Sequence, residues 1–300
     1  MLSEALGTRT KQLYCHYWNH FHTFCVERGI SSNLPVSEIS LVNFLSELIT
    51  KGYKLSTAAS HASALAYINK MFGYKDFSGS FLVNQFFKGA KNIASSQQSD
   101  TRLPMSPELL QRLIEALPQV ITALYDRVLF GTMCIFAFHG FLRIGEICAK
   151  SKTSASVIQF SDVRLVQSGQ SAEAVEIHMR TFKHSKNAVT LLLPKRPGSL
   201  LCPVAAARLY LSLAKQCTGP FFQHLNHTPV TYAFFSRHLQ LVTTFLGLNP
   251  RLYTSHSFCI GAATYAASKG MSDDMIKRLG RWNSNAFQNY IRMPELKLTE

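Results

Sequence analysis

One stretch of this 300-residue chain gathers residue types that could attack a phosphodiester without a metal. Residues 253–292 read YTSHSFCIGAATYAASKGMSDDMIKRLGRWNSNAFQNYIR and contain His256, Trp282, Tyr290 and the cations Arg281 and Arg292. Each has a use in that chemistry. A phenol oxygen is a nucleophile that can hold a phosphoryl group covalently. An imidazole can move its proton or hydrogen-bond the phosphate, and an indole N–H can donate beside it. Guanidiniums meet the charge that grows on the non-bridging oxygens. Far upstream, Arg143 leaves an apolar run in HGFLRIGE, with Glu146 three residues on. A buried unpaired guanidinium is costly, so Arg143 needs an anion. Glu146 could be that partner in a plain ion pair, or the anion could be a ligand.

The elements that must position these groups follow from caps and periodicity. Thr254 and Ser255 stand where an N-cap belongs, ahead of a small apolar run closed by Gly270. His256 is thereby placed at the positive end of a helix, which suits a phosphate. Ser272 with Asp273 and Asp274 opens a second helix, and Gly280 ends it before a polar turn leading to Tyr290.

The first hundred residues read as four helices, near 6–28, 35–52, 56–71 and 81–93, with aromatic residues at core spacing. Lys51, Lys54, Lys70, Lys88 and Lys91 lie on them, either as ordinary solvated lysines or as phosphate contacts. A polar stretch, ASSQQSDTRL at 94–103, makes the best linker. Domains are therefore expected at 1–95 and 105–300, joined by 96–104. Ser106-Pro107-Glu108 starts the next helix, and 124–138 is a long apolar one expected at the core of the second domain. Strands are expected at 156–166, 174–180 and 188–193, with a basic turn at 181–187 carrying Lys183 and Lys186. Helices then begin near Pro203 and at 231–246. His224 and His227 have a spacing that could hold a metal on a helix, but no second ligand pair accompanies them. They are read as a surface turn, and no metal or other cofactor is expected.

Composition narrows the partners. The chain has 31 Lys+Arg against 17 Asp+Glu, a formal charge of +14, which favours a polyanion and nucleic acid before membrane. Seven cysteines, an odd number without a Cys-x-x-Cys pair, argue against a disulfide framework or zinc ribbon. The chain opens on no signal-peptide pattern and has no apolar run long enough to span a bilayer, so an intracellular, reducing location is expected.

The block from His256 to Tyr290 resembles the C-terminal active-site block of tyrosine recombinases, the phage-integrase-like DNA strand-exchange enzymes. It is most similar in flavour to eukaryotic mobile-element members (Crypton, DIRS and Ngaro types). That family's pattern is His-x-x-Arg, then His or Trp, then the nucleophilic Tyr. Here it falls on His256, Cys259, Trp282 and Tyr290. Arg143 and Glu146 match the family's first motif, an Arg followed by a small residue and an acid.

The resemblance implies a mainly α protein with a small antiparallel β-sheet: an N-terminal helical, SAM-like core-binding domain and a C-terminal catalytic domain, clamped around duplex DNA. By the same resemblance Arg143 binds the scissile phosphate with Glu146 in support, His256 and Trp282 assist, and Tyr290 attacks. Lys183, or Lys186 in its place, sits on the β-hairpin and protonates the departing 5′-oxygen. Lys186, Arg281, Lys88 and Lys91 are the expected contacts to the DNA backbone. A homo-tetramer on DNA, a nuclear location and a role in DNA integration are likewise implied.

One position departs from the pattern. Cys259 stands where the second family arginine belongs. Losing one positioned donor typically costs on the order of 10²–10³ in rate. A thiol there, close to Arg and His, is also open to ionisation, which would set negative charge beside a phosphate. The expectation is a folded recombinase with impaired strand cleavage. The alternative is a decayed or domesticated DNA-binding protein.

Overall fold

The N-cap Ser37, whose Oγ accepts from the Ser40 N–H at 3.0 Å, sets the start of the second helix. Such local signals recur along the chain. The computed structural model describes residues 6–77, 79–94, 101–149, 157–169, 171–180, 188–214 and 218–292. They fall into two compact units, Met1–Asp100 and Thr101–Glu300.

The first unit holds α1 (Thr8–Glu27), α2 (Glu38–Thr50), α3 (Leu55–Met71) and α4 (Phe81–Ala94). Left-handed glycines at Gly29, Gly52 and Gly73 turn the chain after the first three, where a Cβ would be strained. Phe21, Phe24, Leu41, Phe44, Leu45 and Leu65 form the core, as the aromatic spacing led one to expect. Asn69 is buried but satisfied. Its amide accepts from the Val36 N–H at 3.0 Å and donates to the Val36 carbonyl at 3.2 Å.

In the second unit, α5 (Pro107–Val120) is capped by Ser106 and packs beside α6 (Leu124–His139). From Leu129 to Phe138 every residue of α6 is buried, which explains the all-round apolar sequence. One helical turn, α7 (Ile144–Ile147), follows. The sheet has the order β1 (Val163–Ser168), β2 (Ser171–Met179), β3 (Val189–Pro194), all antiparallel. Val175 and Ile177 point into the core, opposite Leu193 and Leu191. Then come α8 (Pro203–Leu213), α9 (Tyr232–Phe245), α10 (Ser255–Ser268) and α11 (Asp273–Leu279), and a 3-10 helix, Asn285–Tyr290.

The protein is thus mainly helical with a small antiparallel sheet. One expectation needs correction. The first strand begins at Val163, later than the alternation from 156 suggested. Ahead of it, Phe160–Asp162 is a 3-10 turn in which the Asp162 carboxylate accepts from the Gln159 N–H at 2.9 Å. Leu103 and Met105, at and just beyond the expected linker's end, are bound into the second unit. Their N–H groups donate to Leu252 O and Ser257 O, both at 2.9 Å. Residues 95–100 of that linker, and the basic turn at 181–187 with Lys183 and Lys186, lie outside the described residues.

Candidate active site

Three segments of the second unit meet at Tyr290: the exit of α6, the first turns of α10, and the chain after α11. At the exit of α6, Gly140 ends the helix and Phe141 takes a left-handed φ of 49°, uncommon for a bulky residue. The Leu142 N–H returns to Ala137 O at 3.1 Å, and the reversal delivers Arg143 as the cap of α7. Glu146 is fixed by the same turn, because its Oε2 accepts from the Arg143 backbone N–H at 2.8 Å. The Arg143 side chain is one-fifth exposed. Its Nη1 lies 3.4 Å from Glu146 Oε1, and its Nη2 donates to Gly280 O at 3.0 Å and Arg281 O at 3.3 Å. Glu146 thus pairs with Arg143, whose side chain stays partly exposed.

The second segment is α10. Thr254 Oγ1 accepts from the His256 N–H at 3.3 Å, and Ser257 Oγ accepts from the Thr254 N–H at 3.0 Å, a reciprocal cap. His256 sits in the first turn, as its sequence context indicated. Its Nε2 is 3.5 Å from Tyr290 Oη, a separation at the outer edge of hydrogen bonding. Tyr290 is held from below by Thr264, whose Oγ1 donates to the Tyr290 carbonyl at 3.2 Å and accepts from the Arg292 N–H at 2.9 Å. Thr264 carried no signal as a site residue in the sequence. It lies eight residues after His256, on the same helix face, and only the fold brings Tyr290 to it.

After α11, Gly280 is obligatory. A Cβ there would stand 1.7 Å from the Trp282 indole, so any larger residue would displace the ring. The indole reaches both neighbours. It is 5.2 Å from the Tyr290 ring between centroids, and Arg143 Cζ lies 5.9 Å from its centroid, within range of a cation–π contact. Arg143, Trp282, Tyr290 and His256 thus form one continuous row.

Two expected residues behave otherwise. Arg281, expected at the DNA backbone, is buried, with a side chain 1 % exposed. Its φ of 54° turns the chain so that the guanidinium points inward. There Nη1 donates to Gly140 O and Leu279 O, both at 3.1 Å, and Nη2 to Phe141 O at 3.0 Å and Glu146 Oε2 at 2.8 Å. Neither the positive φ nor the carbonyl cage could be read from a cation in a polar turn.

Cys259 is also buried, 4 % exposed, and its thiol points at Leu142 O, 3.6 Å away. Burial, helped by Glu146 and opposed by Arg143 and Arg281, pushes the thiol up to about 11. Burial thus works against the ionisation that its neighbours Arg143 and Arg281 favour. Lys88 and Lys91 are exposed on α4, in the other unit. Lys51 is paired with Glu47 at 2.6 Å, and Lys70 with Asp76. His224 and His227 lie in a tight turn, where the His227 N–H donates to His224 O at 2.8 Å.

No protein-family model matches the sequence, and no curated protein matches it. Solved structures do match in fold. The XerH site-specific recombinase bound to its palindromic difH substrate, a post-cleavage complex, superposes with a TM-score of 0.62 at 17% identity, covering 90% of this chain and 72% of that one. A lambda integrase dimer bound to a COC′ core site gives 0.60 at 13% identity, covering 97% and 73%. The Tn1549 transposon integrase in complex with circular intermediate DNA gives 0.58 at 11%, covering 93% and 96%. At these identities the likeness is one of fold, and the fold is that of tyrosine recombinases and integrases.

Proposed function

We propose that this chain binds duplex DNA as a tyrosine recombinase or integrase, and that Cys259 impairs its strand cleavage through Tyr290. The observation that carries the reading is the row Arg143, Trp282, Tyr290, His256, assembled from three distant segments in a fold shared with DNA-bound recombinases. The net charge of +14 supplies the long-range attraction for DNA.

In this reading Tyr290 Oη attacks the scissile phosphorus while His256 Nε2 takes or shares the phenol proton. Arg143 donates to the non-bridging oxygens. The 5′-oxygen leaves with a proton from the hairpin lysine, Lys183 or else Lys186. A 3′-phosphotyrosine remains, and it conserves the bond for rejoining when the 5′-hydroxyl of another strand attacks. Side chains suffice for every step. Lys186, Lys88 and Lys91 are assigned to the DNA backbone, and Glu146 to the support of Arg143. A tetramer on paired sites, a nuclear location and an origin in a mobile element of the Crypton, DIRS or Ngaro kind complete the proposal.

A second reading, a DNA-binding protein without cleavage, is favoured by one observation: the position matching the second arginine holds a buried thiol that supplies no guanidinium. A nicked suicide duplex taken from DNA flanking the gene separates the two. The expected result is a covalent band that is weak or missing for the natural chain, strong for Cys259→Arg and absent for Tyr290→Phe, with equal duplex binding throughout. A natural chain that forms the adduct as readily as Cys259→Arg would show that Cys259 does not limit the chemistry.

A further inference from the structure

We propose that Arg281 is a positioning residue: from inside the protein it neutralises Glu146 and braces Arg143, so that Arg143 faces its ligand with its positive charge intact. The inference rests on the recombinase reading above and deepens it.

The argument begins with charge. Arg143 and Glu146 taken as a pair sum to zero, and Glu146 is held close by two contacts to Arg143, at 2.8 Å to its backbone N–H and 3.4 Å to its Nη1. An anion approaching Arg143 would meet the field of a neutral pair. Arg281 Nη2 on Glu146 Oε2 at 2.8 Å adds a second cation to the same carboxylate and leaves the three groups with one net positive charge. With its side chain 1 % exposed, Arg281 cannot contact a phosphate itself. Buried charge is weakly screened by salt, so its field still reaches the site. Cys259, neutral and adjacent, adds none of its own.

Geometry points the same way. Through its guanidinium Arg281 ties Gly140 O and Phe141 O, the two carbonyls just ahead of Leu142 and Arg143. Through its backbone carbonyl it accepts from Arg143 Nη2 at 3.3 Å. One residue thus grips Arg143 by its main-chain approach, its carboxylate partner and its own side chain. A simple staple does not need this. Nε of Arg281 is buried with no partner among the described residues. Two of the three strained, left-handed non-glycine residues among those described, Phe141 and Arg281, are bonded to each other here. Buried ion pairs are seldom favoured over apolar packing on stability alone, so a cluster that retains strain and an unmet donor calls for a functional reason.

The test uses the full chain carrying Cys259→Arg as parent and the nicked suicide duplex, reading both the adduct rate and the salt dependence of duplex affinity. Arg281→Gln keeps two donors and loses the charge; its adduct rate is expected to fall on the order of a hundredfold, with the salt slope unchanged. Arg281→Lys keeps the charge and is expected to cleave faster than Arg281→Gln. Adding Glu146→Gln to Arg281→Gln removes the carboxylate that then cancels the charge of Arg143 and should recover about tenfold of the loss, which a packing role would not. The Lys-against-Gln ranking and the recovery by Glu146→Gln are read on chains that melt cooperatively. Should Arg281→Gln alone not fold, Arg281→Lys against the doubly substituted chain gives the decision: Lys cleaving hundredfold slower than the uncharged double variant overturns the charge role. A salt slope lowered by about 0.9 in Arg281→Gln would instead mean a direct phosphate contact. Adducts forming at the parental rate in Arg281→Gln overturn this role alone. No Tyr290 adduct in any chain, the parent included, overturns the recombinase reading and this role with it.

Discussion

At the scale of the residue, the decisive position is Cys259. Its thiol is buried against Leu142 O and held up at about 11 by desolvation and the nearby Glu146 carboxylate. A thiol of that kind is a poor nucleophile, since the thiolate is the reactive form. Cys15, exposed on α1, has no such protection. Treating the native chain with iodoacetamide at pH 8 and mapping the products by mass should therefore modify Cys15 first. Cys259 is expected to react about a hundredfold more slowly or only on unfolding. Fast labelling of Cys259 would mean the site opens, and that the buried thiol is no fixed part of its floor. Tyr290, His256, Trp282 and Arg143 were all singled out in the sequence, and the fold brings them side by side. The surroundings of Arg281 and Thr264 were not legible. Their meaning lies in which carbonyls surround them, and a linear sequence holds no record of that.

At the scale of the element, α10 is the piece on which the site is built. It carries His256 and Cys259 on one side and Thr264 under Tyr290. Its small residues have a reason beyond helix packing. A Cβ on Gly261 would fall 1.9 Å from the Met105 carbonyl oxygen, a backbone atom that cannot step aside. Gly261→Ala is expected to destabilise the second unit by about 3 kcal/mol or more, as overpacking against rigid backbone does. A urea titration followed by tryptophan fluorescence measures this, and a midpoint within error of the natural chain would refute it. Helices α1 to α6 were readable from caps, stops and apolar period, since those signals are local. The start of β1 was not: the alternation from 156 continues through Phe160–Asp162, but the Asp162 carboxylate captures the Gln159 N–H and makes a turn. A side chain competing for the backbone outweighed the two-residue period.

For the whole molecule, acid is the condition that should expose its weakest balance. His139, at the end of α6, is pushed down to about 4, first by burial and then by Arg196. His20, His61 and His224 are lowered as well, each chiefly by burial. For a histidine whose folded value lies below its unfolded value near 6.5, the neutral form is the one the fold accepts. Its stabilising share is complete above about pH 6.5 and is lost as pH falls toward 4. For His139 that loss is on the order of 3 kcal/mol. Stability measured by denaturant between pH 7 and pH 4 should fall, and fall less steeply in His139→Gln. Equal slopes in the two chains would show that His139 is not a contributor.

One feature at the start of the second unit has a mechanical meaning. The chain enters that unit by laying Leu103 and Met105 alongside residues 252 and 257, fastened by two backbone hydrogen bonds and seated on the bare face of Gly261. Tension applied along the chain at Thr101 is therefore passed to the turn before the helix that carries His256 and to its first turn. Ser257, which takes one of those two bonds, is the next residue after the histidine that faces Tyr290.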